Sequence, residues 1–336
     1  MVDEGLGQAV IRPVKVSVII VNFQGGDMLP RCLDFVYGQR FSGSFDITVV
    51  DNGSVDQSIR LVQAHYPQTR VIFMGKNAGY CAALNRGISE TDGEYVLTLN
   101  FDVELSPDFL EKAVEAFSGA PRIGSVSGRL WKSPPGRGTG LLDSTGIVMK
   151  DLFMADRGQG DSDRGQYDES DYVFGPSGAA ALYKREMLED IKQDQAYADV
   201  DFFGFVEDVD IAWRARLRGW RSVYTPAATA VHLRGVTRKS SARRRREYHC
   251  VSIRNRYWAI IKNLTGEQWK SNRGKIIRTE LRGIARFIKH YGIGVTLSAL
   301  WQALRGYRRF RAKRREIQSR VVAQRSMLDV FLFSEK

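Results

Sequence analysis

Cysteine is scarce in this chain of 336 residues. Cys32, Cys81 and Cys250 lie far apart, follow no metal-binding spacing and leave one over from any disulfide pairing. A disulfide scaffold is therefore excluded, and a reducing compartment is expected. The N-terminus, Met1-Val2-Asp3-Glu4-Gly5, is acidic where an export signal would be basic and then apolar. The late apolar stretch from Tyr291 to Leu304 holds 14 residues, short of the roughly 20 that a bilayer-spanning helix needs. Neither a G-x-G-x-x-G nor a Walker loop follows the first strand, which argues against the usual dinucleotide and P-loop solutions.

What remains is of globular type, 43% hydrophobic and 26% charged, enough for one large domain or two smaller ones. The net charge of +12 conceals a division: residues 238–320 carry 24 Lys/Arg against four acids, whereas residues 1–237 carry 24 against 32. An acidic body with a basic C-terminal region implies two tasks. The basic part is expected to meet an anionic surface, either membrane headgroups or nucleic acid.

Lys15 to Phe23 is a nearly unbroken apolar run, as in a parallel strand buried on both faces. Gly25-Gly26-Asp27 ends it, and Met28 to Tyr37 has helical spacing. The alternation repeats with strands at Phe45 to Val50, Val71 to Met74 and Glu94 to Leu99, and with helices at Asp56 to Ala64 and up to Ile88. Ser106-Pro107-Asp108 then reads as cap, first-turn proline and first-turn acid of another helix. Strand, polar turn and helix in succession predict a doubly wound, mostly parallel α/β sheet of Rossmann-like type. Ligands of such sheets sit beyond the carboxyl ends of the strands. Three of those ends are polar here: Asn22, Asp51-Asn52-Gly53 and Asn100-Phe101-Asp102.

After a strand at Ile123 to Trp131, residues 132–171 read as a loose Gly/Pro/Ser/Asp-rich stretch with one apolar island, Gly146 to Met149. Gly175-Pro176-Ser177-Gly178-Ala179 allows close backbone approach to a ligand or another strand. Glu207-Asp208-Val209-Asp210 opens a helix that Gly219 closes; taken alone, its acids only complement the helix dipole. Short strands follow at Trp220 to Tyr224 and around Ala230 to Gly235. From Arg243 the pattern is cationic and amphipathic, with Leu281, Ile284, Ile288 and Tyr291 on one face and Trp258, Trp269 and Trp301 interspersed. That pattern suits a membrane interface.

Val16 to Asn22, Val49-Val50-Asp51-Asn52-Gly53-Ser54, Asn77-Ala78-Gly79-Tyr80 with Asn85-Arg86-Gly87, Glu94 to Asp102, Phe203 to Gly219 and His232 occur in that order. Together they resemble family 2 glycosyltransferases over residues 14–235. The Asn-x-Asp strand end, the Glu-Asp-Val-Asp helix and the basic C-terminal helices look closest to the bacterial rhamnosyltransferase branch. The resemblance implies a GT-A fold, a nucleoside-diphosphate sugar donor, a divalent cation (Mg2+ or Mn2+) and inversion at the anomeric carbon. It divides the chain into a transferase domain at 1–240 (nucleotide-sugar half 14–131, acceptor half 132–240) and a basic helical region at 241–336.

By the same resemblance Asp208 is the general base, and Glu207 orients the acceptor. Asn22, Asp51, Asn77, Arg86 and Asn100 bind the nucleotide sugar, and Asp102 and His232 hold the metal. Helix geometry separates the acids, since Asp208 and Asp210 project about 200° apart; Asp210 is left as structural. Asn100 stands where the family more often has Asp, which leaves the site one negative charge fewer. Phe101 stands where the branch often has proline. The implied reaction moves L-rhamnose from dTDP-L-rhamnose to a lipid-linked or growing cell-surface glycan, at the cytoplasmic face of the inner membrane, with 241–336 on the anionic lipid surface. The alternatives are galactose or N-acetylglucosamine from a UDP donor and, from another class, a nucleic-acid-binding protein prompted by Arg243-Arg244-Arg245-Arg246. Nucleic acid is not the expected partner, because duplex binding leaves the acidic body and its strand-end residues without a task.

Overall fold

The computed structural model describes residues 14–135, 139–234 and 241–333. Met1 to Gly5, whose composition bears on export, lies outside them, as do residues 235–240 at the expected domain boundary.

The first half follows the predicted alternation. Strands β1 (Lys15–Asn22), β2 (Ser44–Asp51), β3 (Arg70–Phe73) and β4 (Tyr95–Asn100) alternate with helices α1 (Met28–Tyr37), α2 (Ser58–His65) and α3 (Tyr80–Ser89). They lie in the order β3-β2-β1-β4, all parallel. The apolar run of β1 is buried on both faces because strands flank it and helices cover it: Leu29, Leu33 and Val36 of α1 pack with Val16, Val18 and Ile20, and Leu84 and Ile88 of α3 pack with Ile19 and Val21.

The chain continues through β5 (Val103–Leu105), α4 (Phe109–Glu115), β6 (Ile123–Pro135), β7 (Thr139–Ser144), β8 (Ile147–Lys150), β9 (Phe153–Asp156), β10 (Asp171–Val173), β11 (Ala180–Lys184), α5 (Arg185–Ile191), α6 (Glu207–Leu217) and β12 (Arg221–His232). β11 enters antiparallel between β4 and β6, and β12 runs parallel to β6. The order becomes β10-β12-β6-β11-β4-β1-β2-β3. The central sheet is mostly parallel, as expected, with β11 the strand that reverses direction inside it.

Three local expectations are corrected. Ser106 does not cap α4: the helix starts at Phe109, the Ser106 hydroxyl is buried without a partner among the described residues, and its backbone N–H donates to Thr229 O of β12. The stretch 132–171 is not loose in its described part. β6 runs on into it and pairs with β7, β8 and β9 form a hairpin, and Arg157 binds Thr145 and Asp171 to tie them. The two short strands expected at 220–224 and around 230 are one strand, β12, bulged between Tyr224 and Thr229.

The described residues after β12 form helices α7 (Ala242–Asn263), α8 (Gly266–Tyr291), α9 (Ile293–Ser319) and α10 (Arg325–Leu332). Thr265 and Gln268 form a reciprocal capping box at the start of α8, satisfying two N–H groups that a helix start otherwise leaves open. α7 lies against the body. Its Trp258 forms a mutual cluster with Phe202 and with Phe310 of α9, ring centroids 6.4 and 4.4 Å away, the two phenylalanines lying 5.8 Å from each other. Among the described residues no helix is long and apolar enough to cross a membrane.

Candidate active site

The carboxyl ends of β1, β2 and β4 meet in register, Asn22 opposite Asp51 and Val21 opposite Asn100. Asn22 is fully buried and its amide donates to Asp51 Oδ1 (3.2 Å), Ser54 Oγ (3.0 Å) and Ser58 Oγ (3.0 Å). Asp51 also accepts from the Ser54 N–H. Asn77 and Asn52 clasp each other at 3.1 Å, while Asn52 Oδ1 accepts from the Ala78 N–H. Side chains and turns thus fix one another, and Asn22 acts on Asp51 from beneath. Arg86 is placed elsewhere. α3 runs back along the sheet, so Arg86 in its last turn pairs with Glu90, which also binds Arg70 at the first residue of β3. The expected donor contact from Arg86 is corrected accordingly: it sits at the opposite edge of the sheet from Asp51. Phe101 turns into the core, packed among the buried residues of the first cluster.

Asp102 and His232 do meet. β5 pairs with the end of β12, Val103 opposite His232, and sets His232 Nε2 3.4 Å from Asp102 Oδ1. The other ring nitrogen, Nδ1, is 2.8 Å from Asp143 Oδ2 on β7, and Arg234 Nε reaches Asp143 Oδ1 at 2.5 Å. Burial pulls the His232 pKa down, but its hydrogen bonds to the two carboxylates outweigh this and raise it to about 9. Arg234 also reaches Asp156 of β9 at 3.3 Å.

Asp208 lies in the first turn of α6. The Gly178 N–H donates to its Oδ2 at 2.9 Å and the Val209 N–H to its Oδ1 at 2.8 Å. Gly178 is needed for that approach, since a Cβ there would lie 3.0 Å from Asp208 Oδ2. The next residue, Ala179, accepts from the Asn100 N–H, which brings the helix start to the end of β4. Burial raises the Asp208 pKa well above the usual carboxylate range, partly offset by the Gly178 N–H, and the charge of Asp156 adds to the rise. Burial and then the adjoining Asp208 raise Glu207 further, and one Glu207 carboxyl oxygen is buried without a partner. Like charges on adjoining buried residues resist double ionisation, and burial favours the protonated form of each.

The loop entering α6 is strained. Phe203, Phe205 and Val206 have φ of +66°, +66° and +69°, a region costing non-glycine residues on the order of 1–3 kcal/mol each. Asn255 of α7, itself fully buried, holds it: its side-chain amide donates to the carbonyls of Phe202, Gly204 and Phe205 at 2.8–2.9 Å. On the other side Gly79 admits Phe203 to the start of α3, where a Cβ would clash with the Phe203 ring at 2.6 Å. Asp210 points away from Asp208, as the helical spacing requires, and is bound by Arg214 (2.9 Å), Lys262 (3.0 Å) and Asn263 (2.8 Å).

Sequence reasoning missed Asp143, Asp156, Arg234 and Asn255. Arg234 lies beyond the end of β12 with φ of +49°, so strand alternation does not place it. The two aspartates lay in the stretch read as loose, and nothing local marks Asn255.

Comparison with known proteins decides the family. The model of "Glycosyl transferase family 2" matches residues 17–192. The chain belongs to glycosyl transferase family 2. This glycosyltransferase is 26% identical over 235 residues to the N-acetylglucosaminyl-diphospho-decaprenol L-rhamnosyltransferase of Mycobacterium tuberculosis, covering 64% of this chain and 75% of that one. It is 23% identical over 221 residues to the poly-beta-1,6-N-acetyl-D-glucosamine synthase of Staphylococcus aureus, covering 63% and 48%. With an uncharacterized protein of Sinorhizobium fredii it shares 26% over 257 residues, 72% of this chain but 27% of that protein. The chain thus spans less than half the length of the latter two. Its fold is that of GT-A glycosyltransferases. The mannosyltransferase PcManGT of Pyrobaculum calidifontis, solved with GDP-Man and Mn2+, superposes with a TM-score of 0.52 at 17% identity, covering 92% of this chain and 86% of that one.

Proposed function

We propose that this glycosyltransferase inverts at the anomeric carbon, depends on a divalent cation, and moves L-rhamnose from dTDP-L-rhamnose to a lipid-linked or growing cell-surface glycan. The observation that carries the reading is the buried Glu207–Asp208 pair at the start of α6, with Asp208 held beside the end of β4 by the Gly178 N–H. The rhamnosyltransferase relative supports the sugar. Asp208 takes the proton of the acceptor hydroxyl as its oxygen attacks the anomeric carbon. The bond to the diphosphate breaks on the opposite face, and the nucleoside diphosphate leaves. Glu207 orients the acceptor. Asp51, steadied by Asn22 and Ser54, accepts hydrogen bonds from the nucleoside, with Asn77 and Asn100 lining the donor's approach.

The donor set fits a hard cation. Asp102 supplies oxygen, and His232, held at Nδ1 by Asp143, would present Nε2 to the same point once the proton shared with Asp102 is displaced by a cation; a second carboxylate behind a ligating imidazole is the usual arrangement at such sites. Asp102 and His232 would hold Mg2+ or Mn2+, which as a Lewis acid offsets the charge developing on the departing diphosphate. The Mn2+ in the solved structure of the mannosyltransferase PcManGT supports this assignment.

Residues 241–336 attach the enzyme to the cytoplasmic face of the inner membrane. Exposed Ile277 and Leu281 on α8 and Ile293, Leu297, Trp301 and Leu304 on α9, set among arginines and lysines, support this. The decisive experiment is Asp208→Asn. Donor binding is retained while transfer falls by about 10²–10⁴-fold; near-native transfer by this variant refutes the assignment. Turnover measured with dTDP-L-rhamnose against UDP-N-acetylglucosamine, with and without chelator, tests the sugar and the metal.

A further inference from the structure

Between α7 and α9 lies an open groove of about 490 Å³, lined chiefly by Arg254, Arg305, Arg308 and Arg309 with Trp301 and Gln302. Its cations are unevenly matched. Arg309 pairs with Asp201 at 2.8 Å. Arg254 bonds only neutral groups, the amide oxygens of Asn255 (2.9 Å) and Gln302 (3.4 Å) and the Phe202 carbonyl (3.2 Å), and its guanidinium stacks 4.2 Å over Trp258. Arg305 lies over Trp301 at 4.5 Å. Among the described residues no ion pair holds Arg254, Arg305 or Arg308. Burial, followed by repulsion from Arg309, holds the Arg254 pKa below its ordinary value. Such a cluster gains by binding an anion.

The surface leading into the groove is apolar. Ile293, Leu297, Trp301 and Leu304 are exposed and recur every three or four residues, forming one stripe along α9. Arg308 falls on the same stripe one turn further on, with Arg305 beside it. The stripe is about 16 Å long at 1.5 Å per residue and ends in cations, the polarity of a hydrocarbon chain ending in phosphate. At its charged end Arg254 touches Phe202, where the loop that delivers Glu207 and Asp208 begins.

We propose that this groove binds the diphosphate of a lipid-linked acceptor, with the lipid chain lying along Leu297, Trp301 and Leu304. The inference rests on the transferase reading above and assigns the acceptor's anchor, which no motif in the sequence marks. Arg305 and Arg308 bridge the diphosphate oxygens, Arg254 closes the end nearest the catalytic loop, and the acceptor sugar extends from there towards Asp208.

The test uses the full chain with farnesyl diphosphate as probe, inorganic pyrophosphate as the chainless control and phosphatidylglycerol vesicles as the headgroup control. Farnesyl diphosphate binds more tightly than pyrophosphate. The double variant Arg305→Ala/Arg308→Ala, which alters two exposed side chains, weakens it by about tenfold or more, the loss expected for charge-assisted hydrogen bonds. Trp301→Ala narrows the gap between the two diphosphates. Unchanged farnesyl diphosphate affinity in the double variant, or equal affinity of the native chain for both diphosphates, overturns the proposal. A loss confined to the vesicles overturns it in favour of a bilayer headgroup. Nucleotide-sugar binding, measured in parallel, separates the two ideas: its absence from the native chain refutes the transferase reading and leaves the lipid-phosphate site to be judged on its own data.

Discussion

Asp51 and Asp208 are both carboxylates at the carboxyl-end edge of one sheet, and they are held in opposite ways. Asp51 is fixed by Asn22 and Ser54, from its own turn and the adjacent strand. Asp208 is fixed by Gly178, from the segment before β11, and through the strained loop by Asn255 of α7. Behind it Asp210 is tied to Lys262, which is 0% exposed and also binds Asp199 at 2.8 Å. The strand ends of the first half thus carry their own supports, while the start of α6 depends on chain that arrives some fifty residues later. The basic C-terminal helices are part of what positions Glu207 and Asp208.

The largest effect that would break this comparison comes from Lys262→Met. It leaves Asp199 and Asp210 buried with fewer cations, and such uncompensated charge costs about 3–5 kcal/mol. Urea unfolding of the full chain reads this directly, and a loss under about 1 kcal/mol would show α7 to be dispensable. Asn255→Ala comes next, at about 1–3 kcal/mol for carbonyls left without a donor; it lowers kcat more than donor affinity, because the Asp51 web is untouched. The ionisation of Asp208 sharpens the contrast further. A base must be deprotonated to act, and a raised pKa means that kcat falls as pH drops towards about 6, not near the ordinary 4. Asp156→Asn removes a neighbouring negative charge and moves that acid limb downward. The smallest effect belongs to Arg86→Ala. Its pair with Glu90 is exposed, so stability changes by no more than about 0.5 kcal/mol, and donor affinity, measured by titration calorimetry, stays as in the native chain.

The contrast also explains what could be read beforehand. The placement of Asn22, Asp51 and Asn100 at strand ends was legible because a parallel strand announces itself by its apolar run and its end by the polar residue that closes it. Arg86 was misplaced because the motif gives its neighbours but not the direction of α3 along the sheet. Asp143 and Asp156 were hidden by composition: glycine and serine between them resemble a loose segment until β7 and the β8–β9 hairpin are seen to carry them. Asp210 was separated correctly from Asp208 by helical periodicity alone, yet its partners Lys262 and Asn263 answer to no local pattern.

The hold of Asn255 on the loop before α6 bears on how the enzyme is made. A ribosome delivers Phe203, Phe205 and Val206 long before Asn255, and until that amide arrives their left-handed backbone lacks three of its hydrogen bonds, with the Cys81 N–H still holding Phe203 O. The nascent chain can therefore assemble the sheet of its first half while the start of α6 still lacks one of its holds. Competence of the proposed base is expected only once the last helices have emerged and docked.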